Sequence, residues 1–157
     1  MIRKLFQLLA LTVAIGWQLD AAVAIKGTAI SCELGDKSPL FVDVYVFDSA
    51  RVPHLVGLIK TVESDAFRRD DQDGHLFPQW FTAVMRSVKG SRSLVHTHTD
   101  RAGFFRAEIP NVDNVLVFGY ANVEDHPFFY EYKKLFISGR LSVEVVLDFG
   151  HYCASSR

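Results

Sequence analysis

The 157 residues carry 17 Lys and Arg against 18 Asp and Glu, a net charge of −1 at neutral pH. So balanced a chain has no electrostatic footprint for nucleic acid or an acidic membrane surface. With 49% hydrophobic and 13% aromatic residues it is not a disordered chain, and its length suits one domain with one core.

The N-terminus reads as a secretory signal peptide. Arg3 and Lys4 form a positive n-region, "LFQLLALTVAIGW" a short apolar h-region, and Ala22 and Ala24 an A-x-A-like cleavage site. The apolar run is short of the about 20 residues that a membrane span needs, and Asp20 interrupts it. Cleavage after Ala24 is expected, with no stable span afterwards. It leaves one domain over 25–157, with a net charge of −2 once Arg3, Lys4 and Asp20 are gone. The expected location is periplasmic or extracellular. In such an oxidising compartment the two cysteines, Cys32 and Cys153, are expected to form one disulfide.

The mature chain opens on a β-rich segment, "IKGTAISC" (25–32). "FVDVYVFD" (41–48) alternates, with Val42, Val44 and Val46 on one face and Phe41, Asp43, Tyr45 and Phe47 on the other. Residues 50–90 then break the strand pattern. Val52, Leu55, Val56, Ile59 and Val62 have helical spacing, with Pro53 suited to a first turn. "SDAFRRDDQDG" reads as a charged loop. Phe77, Phe81, Val84, Met85 and Val88 give a second helical face, with Pro78 early and Gly90 at its stop. A two-helix insertion is therefore expected, its apolar faces buried on a sheet. Trp80 and Phe81 are expected to pack rather than to hold a ligand. Asp71, Asp73 and Gly74 resemble part of a calcium loop. Arg69 and Trp80 occupy the first-ligand and closing-Glu positions, which rejects an EF-hand.

Five more strand-like segments follow: 93–99, 104–109, 114–123, 128–137 and 141–149. Seven short strands with few helices predict a mainly β fold, a seven-stranded β-sandwich with the helical insertion at about 50–90. Between the third and fourth strands lies "HTHTDRAGFF" (96–105). His96 and His98 alternate as a metal-ligand pair does, but they supply only two ligands. The motif is expected to close a hairpin; the histidines point outward if the threonines share the face of Phe105, inward if not, and the hairpin register decides. Thr97 and Thr99 favour a strand, Asp100 can fix a turn, Gly103 can take positive φ, and Phe105 can drop into a core.

Together Thr97, Thr99, Asp100, Gly103 and Phe105 spell T-x-T-D-x-x-G-x-F. With "IKGTAIS" and "VDVYVFD" before it and "IPNVDNVLVFGYA" after it, the order of motifs resembles the carboxypeptidase regulatory-like, or transthyretin-like, group of β-sandwich domains. The resemblance spans about residues 25–149, and the insertion at 50–90 departs from the simplest form. It implies folding or binding rather than chemistry, and it supplies no catalytic residue and no cofactor.

The residues alone agree with that implication. There is no G-x-S-x-G elbow, no H-E-x-x-H and no Gly-rich phosphate loop. A non-catalytic binding or structural module with an unknown extracytoplasmic partner or ligand is the expected function. "DHPFFYEYKKLF" (125–136) is its candidate surface, against the simpler reading of a half-buried edge strand. The alternatives are a small-molecule or metal carrier using His96 and His98 or a dimer channel, and a hydrolase with an unrecognised site.

Overall fold

The computed structural model describes residues 22–31, 38–72, 74–121 and 130–149. Among them are eight strands: β1 (Val23–Ser31), β2 (Ser38–Pro39), β3 (Asp43–Asp48), β4 (Val95–His98), β5 (Phe104–Ile109), β6 (Asn114–Tyr120), β7 (Tyr130–Phe136) and β8 (Ser142–Asp148). Three helices lie between β3 and β4: α1 (Pro53–Glu63), α2 (Asp65–Asp70) and α3 (Leu76–Gly90). The protein is mainly β, with two four-stranded sheets. Cys32 and Cys153 lie outside the described residues, as do Asp73 and residues 122–129.

Sheet I is built around β1. On one side β1 runs antiparallel to β5, from Val23↔Ile109 to Thr28↔Phe104, and then pairs with the two residues of β2. On the other side it runs parallel to β8, from Ala24↔Ser142 to Ile30↔Asp148. Sheet II has the order β4-β3-β6-β7, antiparallel throughout.

Strand alternation explains how the sheets meet. Ile25, Ala107, Val145 and Leu147 of sheet I share one buried cluster with Val44, Val46, Val115 and Val117 of sheet II. Gly27 lies in this layer, Cα-paired with Phe105. A Cβ at residue 27 would come within 2.2 Å of the Phe105 ring, so only glycine leaves room for it.

The opposite face of sheet II carries Phe47, Leu116 and Phe118. They cluster with Leu55 and Ile59 of α1 and with Trp80, Phe81, Val84 and Val88 of α3. Trp80 Nε1–H also donates to Leu58 O at 2.6 Å, tying α3 to α1. Trp80 and Phe81 are thus packing residues. Sheet II is the middle layer, covered on both faces, and β6 is accordingly buried without a break from Val115 to Gly119.

The insertion holds three helices rather than two. Ser64 ends α1, with its N–H bonded to Thr61 O, and its hydroxyl then accepts the Phe67 N–H at 3.2 Å. Asp65 in the first turn and Arg68 and Arg69 in the last complement the helix dipole. A segment expected to be a charged loop therefore forms a short capped helix. The loop expectation survives only beyond it. There Asp71 Oδ1 accepts the Leu76 N–H at 2.7 Å, which fixes the turn into α3. Strand β1 also starts earlier than expected. Val23, two residues ahead of Ile25, is fully buried and pairs with Ile109.

Candidate functional site

The T-x-T-D-x-x-G-x-F motif carries the chain from one sheet to the other. It does not close a hairpin of two paired strands, because β4 pairs with β3 while β5 pairs with β1. Asp100 organises the crossing. Its Oδ1 accepts the N–H groups of Ala102 and Phe104, both at 2.9 Å, and its own N–H donates to Phe104 O at 2.8 Å. Gly103 has φ +77°, and its carbonyl accepts the Ala29 N–H at 2.8 Å, anchoring the turn on β1. Thr99 is fully buried. Its hydroxyl accepts the Val42 N–H at 2.9 Å and donates to Leu40 O at 2.7 Å. Phe105 lies in the core above Gly27.

With Thr99 inside, His96 and His98 point outward. The His96 ring stacks on Tyr45 at 4.1 Å between centroids, and its Nε2 is 3.5 Å from Asp43 Oδ1. His98 lies against the exposed Phe41, 5.5 Å between centroids. Burial, and then the neighbouring Asp43 charge, push the Tyr45 phenol pKa up. Among the described residues no group of three or more His, Cys, Asp or Glu is placed to hold a metal ion.

The β7 segment divides between its two faces. Tyr130 packs under the helices, 5.4 Å from the Trp80 ring and 5.5 Å from that of Phe81. The Tyr132 hydroxyl donates to Glu63 at the end of α1, and Lys134 Nζ bonds both Glu63 oxygens at 3.2 and 3.0 Å. The Tyr132 hydrogen bond, with help from Lys134, holds the Glu63 carboxyl below its usual range. Burial, followed by Glu63, pushes Tyr132 far up. On the inner face Glu131 is buried and bridged by Lys133 Nζ at 3.1 Å. The tyrosines chosen from sequence as a binding surface therefore mainly tether the helical insertion to the sheet edge.

The outer face of sheet I is different, because neither sheet II nor a described helix covers it. Register sets its side chains in rows across the strands β5-β1-β8. One row is Arg106–Lys26–Glu144, and the next is Phe104–Thr28–Val146. Phe104 is 56% and Val146 50% exposed. They stand in outward slots, where an alternating strand ordinarily places polar residues. A shallow groove of about 470 Å³ runs over these two rows. Arg106 also reaches Glu108 of its own strand at 2.8 Å. The apolar residues of this face carried no sequence signal beyond a break in alternation at "GFFRAEI" and "SVEVVLD".

Among the described residues no helix is long and apolar enough to cross a membrane. No family model matches the chain, and no curated protein matches it. Among solved structures, the Bacillus anthracis TIE protein is similar at 8% identity with a TM-score of 0.45. The similarity covers 82% of this chain and 17% of that one.

Proposed function

We propose that the protein is an exported, non-catalytic binding module of the transthyretin-like kind, and that it binds through the outer face of sheet I. One observation carries this reading. Phe104 and Val146 are exposed in one row on regular strands, flanked by Lys26, Arg106 and Glu144. An apolar centre with a charged surround is the composition of an interaction patch. In sheet II, by contrast, Phe47, Phe118, Tyr130 and Tyr132 pack into the cluster formed with the helices. The inter-sheet crossing at Asp100 and the shared core between the sheets support the transthyretin-like assignment. Export rests on the signal-like N-terminus, with cleavage after Ala24, which would shorten β1 by Val23 and Ala24, and a Cys32–Cys153 disulfide in the mature domain.

The test is a photo-crosslinking amino acid at Phe104, with a control at Arg86 on the exposed side of α3, in the exporting cell. The module should appear in the exported fraction, start at Ile25, contain no free thiol and give an adduct only from position 104. Adducts from Arg86 alone, or protein retained with Met1 intact, would overturn the reading.

A further inference from the structure

We infer that the outer face of sheet I receives a second copy of this chain, related by a two-fold axis running along β1. This rests on the proposed binding role of that face and names its partner.

The rows of the outer face are complementary about β1. β1 is the central strand, with β5 on one side and β8 on the other. A two-fold axis along β1, between two facing copies, lays β5 of each over β8 of the other with the rows in step. Arg106 then opposes Glu144 of the partner subunit, and Phe104 opposes Val146 of the partner subunit, each contact occurring twice. The positive end of the charged row meets the negative end, and apolar meets apolar. Lys26 lies on the axis and faces its own copy. Its long stem lets the ammonium lean toward the Glu144 of either chain. In the adjoining row Glu108 opposes Ser142 of the partner subunit, so no like pair arises at either edge. Stacked sheets of this kind stay within about 30° of alignment, which keeps the two central rows in register. An axis across the strands would instead place β5 on β5 and reverse the rows, and the complementarity would be lost.

The size of the face sets the strength. Three strands at about 4.8 Å spacing and seven residues at about 3.3 Å rise give a patch of about 14 by 23 Å. That is about 320 Å² per copy, well below the about 800 Å² of a standard interface, so the dimer is weak and concentration-dependent.

Sedimentation velocity on the mature chain from about 5 to about 500 µM covers the range that such an interface requires. The mass should rise from monomer toward dimer. Arg106→Glu and Glu144→Arg should each weaken association by about tenfold or more, and the double exchange should restore it to within about threefold of the parent. All three variants change exposed side chains, and circular dichroism should show unchanged folding. A monomer at every concentration, a dimer indifferent to the single reversals, or a double exchange that fails to rescue would each overturn the inference. The crosslink at Phe104 separates this outcome from failure of the binding role. An adduct of twice the chain mass supports the second copy. An adduct of another mass, with a monomer in sedimentation, leaves the binding role standing and removes the second copy.

Discussion

Sheet I and sheet II are built from similar strands but are covered differently. Sheet II lies between the helices and sheet I, and its strand β6 is buried at five successive positions. Among the described residues sheet I has one covered face, and its strand β8 alternates strictly between exposed and buried. The periodicity of a strand thus reports how many of its faces are covered. On a strand that alternates, an apolar residue in an outward slot stands out. Phe104 and Val146 are such residues, whereas Phe118, on a strand covered twice, is ordinary core.

The strongest way to break this contrast is to loosen the cover of sheet II. Phe81→Ala empties a site between α3 and the sheet and should cost about 3–5 kcal/mol in denaturant unfolding. A loss under about 0.5 kcal/mol, as at a free surface, would mean that α3 does not cover the sheet. A smaller effect is expected where the two sheets are joined. Thr99→Val preserves shape but leaves the Val42 N–H and Leu40 carbonyl without their hydroxyl partner, at about 1–3 kcal/mol. A neutral result would show that the inter-sheet turn does not depend on that bridge.

The smallest effect concerns the tether at the β7 edge. Glu63 and Lys134 are each about two-fifths exposed, so Glu63→Gln should cost no more than about 1 kcal/mol at pH 7. Its pH dependence is more telling. The Glu63 carboxyl is held below its unfolded value, so its contribution is present above about pH 4.3 and fades as pH falls through the lower folded value. Thermal melts of parent and variant should therefore differ at neutral pH and converge in acid. A gap that widens on acidification would contradict the tether.

The physics of local pattern made part of this fold legible. "FVDVYVFD" separates Val42, Val44 and Val46, which face sheet I, from Tyr45 and Phe47, which face the helices. The apolar spacing of residues 77–88 marks the buried side of α3, although Trp80 and Val88 are more deeply buried there than Met85. Helix α2 escaped because it is six residues long and buries no side chain, so it has no apolar stripe. Its one signal is Ser64 as N-cap with Asp65 behind it. The parallel pairing of β1 with β8 joins segments more than a hundred residues apart, which no local period can report. The direction of His96 and His98 had the same difficulty. It depends on Thr99 turning inward to bond Leu40 and Val42, residues nearly sixty positions away. The face of sheet I was hidden for a related reason, since the rows Arg106–Lys26–Glu144 and Phe104–Thr28–Val146 exist only once three distant strands are paired.

Hydroxyl-radical footprinting of two phenylalanines tests the contrast between the sheets most directly. Phe104 and Phe118 have the same chemistry, and they differ in being 56% and 0% exposed. In dilute protein Phe104 should be oxidised far faster than Phe118. As concentration rises, Phe104 should become protected while Phe118 does not change. Comparable oxidation of the two rings in dilute protein would contradict the account, because sheet II would then be no better covered than sheet I.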